Sequence, residues 1–385
     1  MLNATDYNPT SMLRVIRGVL PTLALLAVGC ATITPPDGAT FARLEPLLGQ
    51  LLLVGFDGTD GVDNAELEQL VCASRVGGVL LFSRNVVDAA QVQHLTRWIR
   101  ARAAACNALS PLVAMDAEGG RVMRLSPRAG YTPTPSAQEL AGENDLALTE
   151  LEARRIGRML REAGVTWDLA PVVDVGYNPA NTVIVGAGRS YGAHPLVVAA
   201  HARAFIRGLH AEGVLSALKH FPGHGSSFAD SHEGFVDVSD TANRDVELVP
   251  YRVLVGERVV DAVMTAHVFN RRLDGRDPAT LSHATITGLL RNDLGWDGPV
   301  VSDDLRMGAI ELHYGLAQAA VRALDAGVDI LLIAEDRLPD GRSAATVALT
   351  AIRAALIEGR LAPERVMEAL SHAAMLKRRA LGIRR

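Results

Sequence analysis

The segment KHFPGHGSSFADSHEG, residues 219–234, concentrates side chains that can transfer protons or bind polar ligands. It holds three histidines, one lysine and one aspartate within sixteen residues. A glycine-rich segment of this length is typical of a functional loop, because most connections in compact domains run about two to six residues. Asp230 and His232 are separated by one residue, so the carboxylate can bond to one imidazole nitrogen and orient the other toward a substrate. We predict that these two residues form an acid/base dyad.

A second chemical group follows an apolar run in VVSDDLRMG, residues 300–308. Asp303 comes directly after this run, where its side chain would point into the mouth of a barrel. Asp304 could instead cap the next helical turn, since Asp is a preferred N-cap residue. Retaining glycoside hydrolysis requires a nucleophile and an acid/base group about 5 Å apart. We therefore hypothesise that Asp303 and His232 divide these two roles.

Eight short apolar runs supply candidate strands to hold these groups. They cover residues 51–56, 79–82, 112–115, 167–173, 214–218, 262–265, 299–301 and 330–333. Helical patterns with a 3.6-residue period lie between them, most clearly at residues 89–105, 146–163, 195–212, 316–326 and 343–358. A final pattern at residues 363–381 predicts a terminal helix packed on the outside.

This alternation, without a linker to a second domain, predicts a single α/β domain with the (β/α)₈ barrel fold, or TIM barrel, and a terminal helix. A doubly wound open sheet is the alternative, but the turn after the first strand, FDGTDG, lacks the GxGxxG spacing. Barrels carry their chemistry on the loops that follow the strands, so we expect the polar residues there to converge on one pocket. Those residues are Asp116, Glu118, Arg121, Asp174, Lys219, His220, His267, Asp303 and Asp304.

The first thirty residues have the pattern of an export signal. Two arginines precede an apolar run at residues 19–28, which is too short for a membrane span of roughly 20 residues. The run leads to LLAVGC, whose Cys30 resembles the lipidation site of bacterial lipoproteins. We predict a lipoprotein-type signal at residues 1–30, a tether at 31–40 and the barrel at 41–385. Cys30 would attach the enzyme to the periplasmic face of a bacterial membrane, and a cytoplasmic enzyme behind a misassigned start is the alternative.

Net charge and cysteine content limit the kinds of ligand that the protein can be expected to bind. A formal net charge of -5 argues against nucleic acid, because phosphate binding favours a basic face. A neutral or weakly charged substrate fits better, and we expect a monomer without a cofactor. Cys72 and Cys106 could pair in an oxidising compartment or remain thiols. The three cysteines lack CxxC spacing, so a cysteine-built metal site is not expected.

Several motifs carry a resemblance to a known family. KHFPGHG followed by DSH, and SDDLRM, occur with AMDAEGGRVMRL, LAPVVDV, GRSYG and MTAH across residues 48–381. In these motifs the chain resembles the single-domain branch of glycoside hydrolase family three, the bacterial β-N-acetylglucosaminidases (β-hexosaminidases) of peptidoglycan recycling. The resemblance implies a retaining exo-enzyme that hydrolyses terminal non-reducing N-acetylglucosamine from saccharides or muropeptides.

The same resemblance implies individual roles. Asp303 would form a glycosyl-enzyme ester, His232 would be the general acid/base, and Asp230 would be its dyad partner. The residues implied to bind the sugar hydroxyls in the glycone subsite are Asp116, Arg124, Arg189, Lys219 and His220.

Other functions stay open on the residues alone. A phosphorylase could use the same site, because a neutral histidine repels an incoming phosphate less than a carboxylate would. A lipoprotein could also bind cell-wall sugars without catalysis. A metal-dependent hydrolase is a third alternative, although the HxH pair common in barrel metal sites is absent. Its candidate ligands are His220, His224, His232, His267 and Asp116.

Overall fold

The computed structural model describes residues 35–382, and the predicted signal segment and Cys30 lie outside the described residues. All eight predicted strand regions contain a strand, several of them shorter than predicted. The strands are β1 (Leu52–Gly55), β2 (Gly78–Leu81), β3 (Leu112–Met115), β4 (Trp167–Asp168), β5 (Ala217–Phe221), β6 (Ala262–Thr265), β7 (Val300–Val301) and β8 (Leu331–Ile333).

These strands are all parallel to their neighbours. A five-stranded sheet has the order β8-β1-β2-β3-β4, and a three-stranded sheet contains β5, β6 and β7. Isolated parallel bridges join the two sheets: Trp167 with Leu215 and Val172 with Lys219 on one side, and Val301 with Ile330 on the other. Each strand therefore neighbours the next in chain order, and the last neighbours the first. This order is that of a (β/α)₈ barrel, which confirms the predicted fold class.

Helices follow the strands on the outside, and several begin at a side-chain cap. Asp88, Asp145 and Ser343 each accept a hydrogen bond from a backbone N–H in the first turn of the helix that follows. The helices are α1 (Gly38–Leu44), α2 (Ala65–Glu68), α3 (Ala89–Ala105), α4 (Ala137–Gly142), α5 (Leu146–Glu162), α6 (Pro195–Ala211), α7 (Arg244–Glu247), α8 (Val249–Gly256), α9 (Gly308–Ala326), α10 (Ala344–Ile357) and α11 (Pro363–Ala380). No helix within residues 35–382 has the length and apolarity needed to cross a bilayer.

The barrel interior follows from the two-residue period of a strand. Leu53 of β1 points inward, whereas its neighbours Leu52 and Val54 pack against the outer helices. The interior cluster takes residues from every strand or its flank: Leu53, Leu80, Leu112, Ala114, Trp167, Leu169, Leu215, Ala217, Ala262, Met264, Val301, Ile330 and Leu332. The inside of the barrel is thus a packed apolar core below the strand ends.

The terminal helix α11 forms as predicted, but its position differs from the prediction. Ala373 and Leu376 pack with the interior cluster, so the second half of α11 covers the end of the barrel where the strands begin. Only the first half, with Val366 and Ala369, packs among the outer helices. An apolar pattern on a helix identifies its buried face but does not say which surface will cover that face.

Two cysteines whose pairing the sequence left open are joined. Cys72 and Cys106 form a disulfide that links the segment after α2 to the end of α3. The bridge closes a sequence separation of 34 residues. It lies among the outer helices and is not part of the cavity described next.

Candidate active site

The strand period places three of the predicted site residues on the inner face of the barrel. Asp116 lies two residues after the inward Ala114, Lys219 lies two after Ala217, and Asp303 lies two after Val301. Because alternate residues share a face, each side chain continues an inward row just where its strand ends. A carboxylate, an ammonium and a second carboxylate therefore meet above the apolar core.

These side chains line a cavity of about 370 Å³ at the carboxyl ends of the strands. This volume lies at the small end of the range for ligand sites, roughly 300–1,000 Å³. The cavity contains every catalytic and sugar-binding residue proposed from the sequence except Asp230: Asp116, Arg124, Arg189, Lys219, His220, His232 and Asp303. A larger groove of about 690 Å³ borders α2 and α10 and holds none of them.

A buried ion network forms one wall of the cavity. The Nζ atom of Lys219 lies 2.8 Å from Asp116 Oδ1 and 2.7 Å from Glu118 Oε1. Arg124 donates to Asp116 at 3.0 Å, and Arg189 makes a two-bond contact with Glu118 at 2.7 and 2.8 Å. The side chain of Lys219 is only 3% exposed, so these charges interact with little solvent screening.

The network keeps its carboxylates ionised. Burial alone would raise the pKa of Glu118, but Arg189 and Lys219 outweigh burial and lower that pKa to about 2. Lys219 and Arg124 likewise hold the pKa of Asp116 well below its usual value, against the effect of burial. The wall therefore offers fixed acceptors and donors to a ligand with several hydroxyl groups.

His220 is oriented by a carboxylate behind it. Its Nδ1 donates to Asp174 Oδ2 at 2.6 Å, and its Nε2 lies 3.4 Å from Arg189 Nη2. Asp174 is fully buried, and His220 and His224 hold its pKa below the usual value although burial acts in the opposite direction. The peptide bond between Lys219 and His220 is cis. Asp174 thus stands one layer behind the cavity, not in its lining as the sequence predicted.

Asp303 is partly buried and ionised at the base of the cavity. Burial would raise its pKa, but the nearby His220 and His267 outweigh burial and lower it. Its Oδ1 accepts a hydrogen bond from Asp304 N at 2.8 Å. This fixes the carboxylate plane and leaves Oδ2 for a ligand.

Asp304 and His267 have supporting positions. Asp304 Oδ1 accepts from Arg306 N at 3.1 Å and from Ala334 N at 2.9 Å, and burial raises the pKa of Asp304 to about 6. His267 Nε2 donates to the Asp304 carbonyl at 2.8 Å. His267 therefore lies behind the cavity and braces the segment after β7, although the sequence placed it in the pocket itself.

The two residues of the predicted dyad, Asp230 and His232, are hydrogen-bonded to each other. His232 Nδ1 donates to Asp230 Oδ1 at 2.7 Å, and the same oxygen accepts from His232 N at 2.9 Å. Burial raises the pKa of Asp230, but the hydrogen bonds from His232 outweigh it, so the pKa is lowered and the carboxylate is charged. The side chain of His232 is 66% exposed and lines the cavity. With Nδ1 committed to Asp230, Nε2 is the nitrogen that can exchange a proton.

The loop with the dyad is docked on the beginning of α9. Gly308 N donates to His232 O at 3.3 Å, and Ala309 N donates to Ser231 O at 3.2 Å. These N–H groups belong to the first turn of the helix, which has no side-chain cap. A Cβ atom at Gly308 would lie 2.9 Å from the His232 carbonyl oxygen, so the close approach requires glycine. The docked loop brings His232 to the strand end that carries Asp303.

The first residues of the same loop rest on a buried acid that the sequence did not single out. Glu247 of α7 is 5% exposed, and burial raises its pKa to about 7. Gly223 has a φ of +146°, and a Cβ added there would lie 2.8 Å from Glu247 Cβ. Glu247 therefore supports the loop where it leaves β5, and its local sequence carries no signal of this long-range contact.

The histidines offered as metal ligands are engaged elsewhere. His224 Nδ1 lies 2.7 Å from Ser227 Oγ and Nε2 lies 3.2 Å from Ser231 Oγ, so this ring holds the loop together. Burial lowers the pKa of His224. Within the described part of the chain, no three His, Cys, Asp or Glu side chains converge in the manner of a metal site.

The sequence analysis assigned no individual role to Glu118, and the structure places this residue in the buried ion network. It makes the two-bond contact with Arg189 and also reaches Lys219, so it belongs to the wall of the cavity. The signal for it was present, since Glu118 is two residues beyond the inward Asp116. Arg121, which follows the same strand, is exposed and outside the cavity.

Comparison with known proteins gives a consistent result. The model of the glycosyl hydrolase family 3 N terminal domain matches residues 43–376. The beta-hexosaminidase LpqI of Mycobacterium tuberculosis is 41% identical over 297 residues, covering 74% of this chain and 71% of that protein. A beta-hexosaminidase of Stenotrophomonas maltophilia is 36% identical over 343 residues, covering 84% of this chain and 97% of that protein.

Solved structures agree with the sequence comparisons. A glycoside hydrolase family 3 beta-N-acetylglucosaminidase from Paenibacillus sp. superimposes with a TM-score of 0.82 at 37% identity. The match covers 88% of this chain but 62% of that one, so the Paenibacillus protein has a substantial part without a counterpart here.

Proposed function

The chain belongs to glycosyl hydrolase family 3 and is a glycoside hydrolase, and on this premise we propose that it is a retaining exo-β-N-acetylglucosaminidase. Its substrate would be terminal non-reducing N-acetylglucosamine on peptidoglycan fragments such as muropeptides. One observation carries the proposal: the ionised Asp303 and the exposed His232, whose ring is oriented by Asp230, line the same small polar cavity. The names of the relatives, a beta-hexosaminidase and a beta-N-acetylglucosaminidase, support N-acetylglucosamine as the sugar that is released.

In the first step Asp303 Oδ2 attacks the anomeric carbon while His232 Nε2 gives its proton to the glycosidic oxygen. The bond from carbon to the leaving oxygen breaks, and an ester bond to Asp303 forms. Asp230 stabilises the protonated ring before transfer and keeps its tautomer fixed. The freed alcohol leaves with the proton.

In the second step the now neutral His232 accepts a proton from water, and that water attacks the anomeric carbon. The ester bond to Asp303 breaks, which restores the carboxylate and the protonated histidine. Two displacements at the same carbon retain its configuration. An exposed, loop-borne acid/base suits this cycle, because solvent water must replace the leaving group beside the same nitrogen.

The glycone would be held by the buried ion network. Asp116 has oxygen atoms that accept from hydroxyl groups, and Arg124, Arg189 and Lys219 donate to them. His220, fixed by Asp174, adds a further polar group on the same side. A cavity of about 370 Å³ lined by this network fits one terminal sugar better than the middle of a chain, which supports an exo mode of action.

His232→Ala should slow the enzyme in a way that depends on the leaving group. A poor leaving group such as a sugar needs protonation, so its kcat/KM should fall about 10²–10⁴-fold, whereas the kcat/KM of a dinitrophenyl glycoside should change far less. The measurement is steady-state kinetics over a series of aryl N-acetyl-β-glucosaminides. His94→Ala is a matched control, because His94 lies 3.8 Å from Asp60 on the surface and is 58% exposed. Equal losses for good and poor leaving groups would contradict the acid role.

We also propose that the enzyme is exported and anchored as a lipoprotein through Cys30. The disulfide between Cys72 and Cys106 supports export, since such bonds persist in oxidising compartments and are rare in the cytosol. Cys30→Ser should move the enzyme from the membrane fraction to the soluble fraction without altering kcat. Activity that remains in the soluble fraction for the unchanged protein would refute the anchor.

A further inference from the structure

The loop with the dyad also carries exposed aromatic rings. Phe228 is 65% exposed and Phe235 is 50% exposed, whereas every other Phe, Tyr and Trp within residues 35–382 is buried or partly buried. Phe228 lies two residues before Asp230, and Phe235 lies three residues after His232. The two exposed phenylalanine rings of the described chain therefore flank the proposed acid/base.

Phe235 is held in place by rings from two other parts of the barrel. Its ring centroid lies 5.3 Å from that of Phe269 and 5.9 Å from that of His313, the latter in an edge-on geometry of 72°. Phe269 follows β6, and His313 lies on α9 after β7. We call these three rings the aromatic surface. Leu312, which precedes His313 in α9, is 75% exposed.

Phe235, at the centre of the aromatic surface, lies close in the chain to the side chain that would contact a leaving group. A histidine protonates a glycosidic oxygen only at hydrogen-bond distance, so the first atoms of the leaving group lie against Nε2 of His232. Consecutive Cα atoms are about 3.8 Å apart, so the Cα atom of Phe235 is at most about 11 Å from that of His232. The buried ion network that would hold the glycone, by contrast, comes from β5 and from the segments that follow β3 and β4.

Exposed phenylalanine rings on a functional loop indicate a binding surface. Apolar side chains of this size are normally covered, and contiguous exposed ones mark binding surfaces. A flat ring packs well against a pyranose, since one face of the sugar presents C–H groups that match the electron-rich ring face. A charged peptide would instead require paired ions on the same surface.

We propose that the aromatic surface, centred on Phe235, binds the first sugar ring of the leaving group. The enzyme would thereby favour substrates in which N-acetylglucosamine is attached to a second pyranose over small alkyl or fluoride glycosides. The inference rests on the proposed function, because it assigns the leaving-group side from the acid role of His232. Phe235 is then a specificity-determining residue that leaves the reacting atoms untouched.

The experiment compares two substrates that share the glycone. In N,N′-diacetylchitobiose the leaving group is a sugar, and in N-acetyl-β-glucosaminyl fluoride it is one atom. Phe235→Ala should lower kcat/KM for the disaccharide about 10-fold and leave the fluoride within about twofold, and Phe235→Tyr should restore the disaccharide value. Leu151→Ala removes another exposed apolar side chain, 62% exposed on α5, and should change kcat/KM for neither substrate.

Either of two results would overturn the inference. Equal losses on both substrates would mean that Phe235 positions the loop and not the leaving group. No loss of kcat/KM on either substrate would mean that the Phe235 ring does not contact the leaving group. The proposed function fails in a different way, because then the unsubstituted enzyme would release N-acetylglucosamine from neither substrate.

Discussion

Asp303→Ala is expected to lower kcat on an aryl N-acetyl-β-glucosaminide by about 10⁵-fold, the scale on which removal of a covalent nucleophile acts. The physical reason is that Asp303 is the ionised carboxylate at the base of the cavity with one oxygen left free by its hydrogen bonding. Alanine at this position leaves space for a small anion. Added azide should therefore restore part of the turnover and give the α-glycosyl azide, whose inverted configuration is read by NMR.

Asp304 offers a matched control for this prediction. It is the adjacent carboxyl group, its pKa is raised to about 6 by burial, and its Oδ1 accepts from two backbone N–H groups. Asp304→Asn keeps that acceptor, so its kcat should stay within about 10-fold of the parent. Near-normal turnover by Asp303→Ala would refute the nucleophile assignment. A β-configured azide product would refute it as well.

The second large effect is on stability. Lys219→Met should lower the free energy of unfolding at pH 7 by about 3–5 kcal/mol, because it removes a 97% buried cation that lies within 2.8 Å of two carboxylates. Asp116 and Glu118 would keep only one arginine each. The same change should lower kcat/KM by at least about 10²-fold, since the Lys219 ammonium is one of the groups of the buried ion network that would donate hydrogen bonds to the glycone.

The effect of Lys219→Met should also depend on pH. Burial opposes ionisation of Glu118, but Arg189 and Lys219 lower its pKa in the native protein to about 2, below the ordinary value of 4.5. The stability that comes from ionised Glu118 is therefore present above pH 4.5 and is lost as the pH falls toward 2. Without Lys219 the pKa of Glu118 rises. The difference between parent and variant should thus be largest at neutral pH and smaller at pH 4.

Urea unfolding at pH 7 and at pH 4 measures this difference. Arg154→Met is a suitable control, because Arg154 pairs with Glu212 on the surface and is 54% exposed, and such pairs contribute about 0–1 kcal/mol. If Lys219→Met costs no more than Arg154→Met, the buried network does not stabilise the fold. A cost that is the same at both pH values would show that its origin is lost packing and not charge.

The positions of the strands could be predicted because barrel strands are short, continuous apolar runs. The inward row that ends in Asp303 or Lys219 is also readable, since it depends only on the two-residue period. What the sequence could not supply are contacts between distant segments. Asp174 behind His220, Glu247 beneath Gly223 and α11 across the end of the barrel all arise from the closed fold.

The same limit applies to the histidines of the loop. Their spacing predicted a reactive cluster, and His232 fits that prediction in its geometry. His224, four residues after His220, is bonded at both nitrogens to serines of its own loop and stabilises its shape. Local composition cannot separate these two kinds of histidine, because the difference lies in which partners the folded loop brings to each ring.

The docking of the loop on α9 ties the position of the proposed acid/base to the start of a helix. Two main-chain hydrogen bonds, from Gly308 and Ala309, hold the segment with His232 in place. At about 1 kcal/mol each, they contribute roughly 2 kcal/mol to the docked position, in addition to the bonds that His224 makes within the loop. Because Gly308 lies shortly after Asp303 in the chain, one short stretch of backbone locates both the proposed nucleophile and the proposed acid/base.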